Sequence, residues 1–286
     1  MQPGKFIERV LFLLALSSIS SLALITIFIF LEGGPLIYFA GLKNFLASSH
    51  WAPTKGHFGI LAMIVSSLLV TLGAMVIGIP LGLSCAIVLA EFSPTRLKLV
   101  LKPTLELLAG IPSVVYGFLG VVWLVPLIRD YLGGPGLSLL AAAIILGIMI
   151  LPTIISISID ALSAVPALYR DGSIALGATQ WQTVRRVVLP AASSGIMTAI
   201  ILGMGRAVGE TMAVIMVAGN TLDLPHSILA PVRTLTSNIA LEMGYAAGEH
   251  RRALFATGVT LFAIIMILNT IALTVSRRRA RKAGQS

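Results

Sequence analysis

The stretch that decides the fold runs from Asp160 to Gly195, DALSAVPALYRDGSIALGATQWQTVRRVVLPAASSG. It lies between two long apolar runs and carries helix signals of its own. Pro166 suits a first helical turn, and Val165, Leu168, Tyr169, Gly172, Ala175 and Leu176 then recur on one face. Gly177 is placed to end that helix in a left-handed cap. Thr179 followed by Gln182 is a capping-box pair that starts a second helix, and Pro190 ends it. The segment predicts helix, glycine hinge, helix. Helices this short are marginal in water, so they pack on something, either a partner or the surface of a bilayer.

Outward from this loop the chain is apolar. Of 286 residues, 57% are hydrophobic and 11% charged, against roughly 25% charged in soluble domains. Long continuous runs exclude a transmembrane barrel, whose strands alternate in polarity. With about 20 residues needed per crossing, the sequence predicts six spans: Val10–Leu31, Phe58–Ala90, Pro103–Leu127, Leu137–Ile159, Ser194–Gly219 and Ala253–Val275. The first is too long for a secretory signal core and no small-x-small site follows it, so it is expected to stay as an anchor. Gly78, Pro80 and Gly82 predict a bend in the second span, and Gly110 and Pro112 a break in the third.

A net charge of +9 in a soluble protein would suggest nucleic acid. Here the basic residues stand at the ends of the apolar runs and read as topology signals. One side receives Lys5, Arg9, Arg96, Lys98, Lys102, Arg170, Arg185, Arg186 and the tail Arg277, Arg278, Arg279, Arg281 and Lys282. The other receives Lys43, Lys55, Arg129, Arg233, Arg251 and Arg252. Thirteen against six places both termini in the cytoplasm, with the tail beside anionic lipid. Glu32–His57 and Asn220–Arg252 then face outward, either receiving a partner or capping the bundle. The single cysteine, Cys85, excludes an internal disulfide.

Arg206 and Glu210, in LGMGRAVGETMAVIMVAGN (202–220), stand four apart inside the fifth span and are expected to share a helix face. A mid-span charge costs about 2.5–3.5 kcal/mol, and a surface pair at this spacing returns only about 0.2–0.5 kcal/mol. Stability therefore does not account for them, and they are expected to face protein or a water-filled path. Arginine offers a tetrahedral oxyanion two parallel hydrogen bonds. Glu210 either neutralises Arg206 when no anion is present or accepts a hydrogen bond from a protonated oxyanion, which a fully ionised one lacks. The alternative is a buried ion pair that fixes helix packing. Gly205 and Gly209 form a small-residue step for a neighbouring helix; Gly78 and Gly82 form another, readable as ordinary packing. Ser113, Tyr116 and Thr211 are candidate path hydroxyls that internal bonding explains equally. Glu106, four after Lys102, reads as an interfacial pair. No phosphate-binding Gly loop, metal-ligand cluster or nucleophile–base set stands out. The sequence thus predicts no cofactor, no metal and no enzymatic activity of its own.

Several of these stretches resemble the permease subunits of type I ATP-binding-cassette (ABC) importers. That family carries Glu-Ala-Ala, three residues, Gly, nine residues and Ile-x-Leu-Pro. Here Asp171-Gly172-Ser173, Gly177 and Val187-Val188-Leu189-Pro190 stand at the same spacing. WAPTKGHFGILAMI (51–64), ELLAGIPSVVYGFLG (106–120) and the Arg206 stretch are similar, in that order, to phosphate importer permeases. The resemblance implies an all-α, six-span, MetI-like transmembrane domain over 58–275 with a coupling loop at 160–192. An anchor and outer loop over 1–57 would precede it, and a basic tail over 276–286 would follow. It further implies a bacterial plasma (inner) membrane setting and a homologous, PstA-like permease subunit as partner. A soluble phosphate-binding protein would stand outside, and an ATPase dimer inside would engage Asp171, Gly177, Leu189 and Pro190. Inorganic phosphate would pass Arg206 and Glu210. Gly172 and Ser173 depart from the paired alanines and lower helix propensity by roughly 1 kcal/mol. A permease for molybdate or sulfate, and a channel or scaffold without an ATPase, are the alternatives.

Overall fold

The computed structural model describes the backbone of residues 3–283 and the side chains of 7–39, 41–94 and 96–274. The side chains of Lys5 and of the basic tail lie outside the described residues. Helix α1 (Pro3–Ala40) and the short α2 (Leu42–Ala47) lead into a two-stranded hairpin, β1 (Trp51–Ala52) and β2 (His57–Phe58). Helix α3 (Leu61–Ile87) ends in a π turn, Val88–Phe92. Then come α4 (Thr95–Ala109), α5 (Ser113–Leu119), a second π turn, α6 (Val125–Leu132) and α7 (Leu139–Ser163). The loop holds α8 (Ala167–Ala175), α9 (Gln180–Thr183), a third π turn and α10 (Leu189–Ala191). Helices α11 (Ser193–Gly209), α12 (Met212–Val217), α13 (Leu235–Glu242) and α14 (Gly248–Ala283) complete the chain.

Helix α7 is the axis of the bundle, because small residues let neighbours close on two of its sides. A Cβ added at Gly78 or Gly82 of α3 would come within 2.7 Å of Ile150 or 2.8 Å of Ile154. One added at Gly203 of α11 would meet Ile154 at 3.0 Å from the other side. The Gly78/Gly82 step is thus internal packing. Around it Val70, Ile128, Leu146, Met149, Ile150, Ala213 and Val217 form one buried cluster. Helix α1 sits at the periphery, chiefly against α14, with its outer face apolar and exposed.

Among the described residues five helices are long and apolar enough to cross a membrane: Ile7–Phe39, Leu61–Phe92, Ser113–Leu132, Leu139–Ser163 and Gly248–Thr274. The pair Gln180–Ala191 and Ser193–Gly209 meets the same length and composition criterion only when its two halves, bent by 70°, are taken together. The multi-pass, all-α architecture agrees with the sequence; three boundaries do not. The first helix does not stop at Leu31, because Leu36 joins a buried cluster with Phe45, Trp51 and Leu254 that extends it to Ala40. The third span starts at Ser113, not Pro103. Gly110 and the pre-proline Ile111 end α4, since proline disfavours helical backbone before it. The fifth is interrupted at Glu210–Thr211 rather than continuing to Gly219.

Candidate functional site

The interruption places the two intramembrane charges differently from the expected shared face. Arg206 lies in the last turn of α11, whereas Glu210 stands beyond its end with extended backbone, φ −68° and ψ 132°. The ion pairs among the described residues are Lys102–Asp160, Arg170–Glu91 and Arg233–Glu242, with His250 also in contact with Glu242, so Arg206 and Glu210 do not pair. Each serves a helix end instead. Arg206 Nη2 donates to the Ala109 carbonyl at 3.4 Å, where α4 breaks. Glu210 Oε1 accepts from the Ala213 N–H at 3.3 Å, at the start of α12. Helix ends leave such groups without intrahelical partners, and the signs match: a cation by a C-terminal carbonyl, an anion by an N-terminal amide.

Both side chains are half-buried. Added Cβ atoms at Gly205 and Gly209 would meet nothing within 4 Å, so this step faces open space in the single chain, unlike Gly78 and Gly82. The 3.4 Å contact is Arg206's one hydrogen bond among the described residues, which leaves most of its five N–H donors available. Tyr116 is buried, and its hydroxyl donates to the Leu108 carbonyl at 2.9 Å. The Thr211 hydroxyl donates to Gly209 at 3.3 Å. Ser113 is half-buried at the first turn of α5. Lys102 does not find Glu106; it bridges to Asp160 at 2.6 Å, and that bond holds the ammonium above its ordinary pKa.

At the other candidate site the loop forms as helix, hinge, helix. Gly177 takes φ +86°. Its N–H donates to Ile174 at 2.8 Å, and that of Ala178 to Ser173 at 3.2 Å, the double bond of a Schellman cap. The Thr179–Gln182 capping box is present in both directions. Pro166 stands just before α8 rather than in its first turn. Pro190 does not end the second leg, since the chain runs on to Ala191 and turns at Ala192. Ser173 has a use that an alanine there would lack: its hydroxyl lies 2.9 Å from that of Thr183 and joins the two legs.

The expected coupling residues split between two faces. Asp171 and Gly177 are exposed with Leu168, Tyr169 and Leu176, whose own exposure (79, 57 and 91%) makes an apolar surface. Leu189 packs against the buried cluster of Leu89, Ile159, Leu162 and Val188. Pro190 lines a cleft of about 740 Å³ with Val165, Tyr169 and Arg186. At the opposite end of the bundle, the two segments expected to face outward pack on each other. Glu242, 7% exposed, accepts from Arg233 at 2.7 Å and Trp51 at 2.9 Å and lies 2.8 Å from His250. Sequence spacing gave no sign of this hub, because its members are drawn from positions 51 to 250.

The family described as binding-protein-dependent transport system inner membrane component matches residues 78–282. A probable ABC transporter permease protein of Bacillus subtilis, YqgH, is 44% identical over 272 residues, 93% of this chain and 88% of that one. The phosphate transport system permease protein PstC of Mesorhizobium japonicum is 35% identical over 291 residues, covering 92% and 89%. PstC of Haemophilus influenzae is 34% identical over 263 residues, covering 85% and 82%. Two solved structures share the fold. An inward-facing chain of the MetNI methionine ABC transporter has TM-score 0.58 and 22% identity, covering 82% of this chain and 99% of that one. A chain of a bacterial ABC transporter involved in alginate import has TM-score 0.64 and 16% identity, covering 97% and 99%.

Proposed function

The chain belongs to the binding-protein-dependent transport system inner membrane component family, and from that premise we propose that it is a permease subunit of an ATP-driven importer of inorganic phosphate. The observation that carries the reading is Arg206, a half-buried guanidinium on an open helix face with one long hydrogen bond. Such a group has donors to spare for a passing oxyanion. The relatives named as phosphate permeases favour phosphate among the oxyanions.

In this reading a homologous, PstA-like permease seats against the Gly205/Gly209 face, and the path runs between the two subunits past Arg206 and Glu210. An ATPase dimer docks on the exposed apolar side of α8, near Asp171 and Gly177, and hydrolyses the ATP. Leu189 and Pro190 secure the loop's inner side. A soluble phosphate-binding protein meets the opposite end, built on the Glu242 hub. The termini lie in the cytoplasm, and transport proceeds by alternating access of the two permeases.

Uptake of radiolabelled phosphate into vesicles that hold the full assembly tests this. Uptake is expected to require ATP, to withstand excess sulfate or molybdate, and to vanish in Arg206→Ala while the subunits still co-purify. Uptake of another oxyanion in preference to phosphate overturns the assignment, and normal uptake by Arg206→Ala removes that residue from the path.

A further inference from the structure

Arg170 joins three elements at the loop end of the bundle. Its Nε and Nη2 donate to the two oxygens of Glu91 at 3.1 and 2.7 Å, the two-bond fork that fits guanidinium to carboxylate. Nη1 donates to the Val165 carbonyl at 2.6 Å and Nη2 to that of Leu162 at 2.8 Å. Those carbonyls stand at and just past the end of α7, and that of Leu162 also accepts from the Val165 N–H at 3.3 Å. Glu91 lies on the π turn that closes α3, and its backbone carbonyl accepts from Gln180, the first residue of α9, at 2.8 Å. Beside it the rings of Phe92 and Trp181 are 6.3 Å apart.

Helix α8 has no buried residue of its own. Its side-chain hydrogen bonds to the rest of the chain run from Arg170 to Glu91 and to the end of α7, and from Ser173 to Thr183. The Arg170 and Glu91 side chains are 23% and 8% exposed, too enclosed for the screening that weakens surface pairs. Of the α8 side-chain bonds, those of Arg170 are the ones that run to α3 and α7.

We propose that Arg170 and Glu91 are the positioning pair through which a displacement of α8 reaches α3 and α7 together. The inference rests on the reading of α8 as the ATPase-docking helix. Glu91 needs no contact with cargo or nucleotide in this role; it acts by making loop and spans one body.

The test uses the full assembly in lipid vesicles, with Cys85→Ser and spin labels at Ser84→Cys on α3 and Ala175→Cys on α8. With Arg170 present, the label-to-label distance distribution is expected to keep its mean and width when a non-hydrolysable ATP analogue binds. In Arg170→Ala it is expected to broaden and to shift with nucleotide. Phosphate imported per ATP hydrolysed should fall about tenfold, the order of a typical coupling between sites, with the ATPase still bound and active. Arg170→Lys, which keeps the charge and loses the fork, should fall between. Unchanged distances together with an unchanged import ratio in Arg170→Ala overturn the proposal. So does loss of the ATPase with unchanged distances, which would make the pair a docking element. Should the wild-type assembly import a different anion, the phosphate reading fails, and the label comparison still decides the role of the pair.

Discussion

Glu242→Gln changes one heavy atom in a buried hub, an oxygen to an amide nitrogen, and the geometry sets what that should do. Glu242 has two acceptor oxygens facing three groups: Arg233 on Oε1, and Trp51 and His250 on Oε2. Glutamine has one carbonyl oxygen. If its amide nitrogen takes the Oε1 place it meets an Arg233 N–H, and in the Oε2 place it meets the Trp51 indole N–H, which is a donor only. Either way a donor faces a donor. Breaking a buried ion pair costs about 3–5 kcal/mol. Arg233 keeps the Asn220 carbonyl at 2.9 Å and Asn238 Oδ1 at 3.1 Å, so the low end, about 3 kcal/mol, is expected. Trp51→Phe removes one donor and should cost about 1–2 kcal/mol. Unfolding midpoints of both variants in one nanodisc composition give the comparison. Hydrogen exchange should quicken first in the hairpin from Trp51 to Phe58, which hangs on the hub. A Glu242→Gln chain within about 0.5 kcal/mol of wild type, or no worse than Trp51→Phe, refutes the reasoning.

Glu210→Gln keeps an oxygen for the Ala213 N–H, so α12 should start as before, and a changed preference between phosphate and sulfate in reconstituted vesicles would report the lost charge alone. Unchanged preference retires Glu210 as a selectivity group. Gly82→Val should lower stability by about 1–3 kcal/mol, since its Cβ would press on Ile154 at 2.8 Å. Gly205→Leu, with open space around it, should leave the single chain's unfolding midpoint unchanged and reduce co-purification with the partner permease; the reverse pattern contradicts the interface. Gly172→Ala meets nothing within 4 Å and should raise protection of α8 in hydrogen exchange, worth about 0.8–1.0 kcal/mol of helix propensity. Gly177→Ala, held at φ +86°, should cost about 1–2 kcal/mol and loosen the same helix.

Where a signal was local, the sequence announced it. The Gly177 cap and the Thr179–Gln182 box formed because each needs only residues within one turn of itself. The apolar runs gave the spans for the same reason. What stayed hidden came from contacts distant in the chain. Leu36 carries α1 past Glu32 only because Phe45, Trp51 and Leu254 surround it. Lys102 passes over Glu106, four residues away, for Asp160, fifty-eight residues on. Glu91 drew no attention in the sequence, because its partner Arg170 stands seventy-nine residues later. The break at Glu210–Thr211 was the hardest to foresee. It carries no proline; the Ala213 N–H and the Thr236 hydroxyl both donate to Glu210 there, and the second, twenty-six residues on, is visible only in three dimensions.

That break also changes the energetics of the two intramembrane charges without cancelling them. Two mid-span charges cost about 5–7 kcal/mol. Serving helix ends of the right sign returns about 0.3–1 kcal/mol each, and the hydrogen bonds, 3.4 and 3.3 Å long, add little. Several kcal/mol stay uncompensated by contacts within the single chain, as expected if water in a path or a second subunit faces these groups. Arg206→Met keeps much of the apolar stem and removes the charge. In the isolated chain in lipid it should therefore hold or raise the unfolding midpoint, while the assembled importer loses uptake. If instead the isolated chain loses more than about 1 kcal/mol, well outside the range for unengaged surface sites, Arg206 is chiefly a strut for the broken end of α4. The oxyanion would then need another donor.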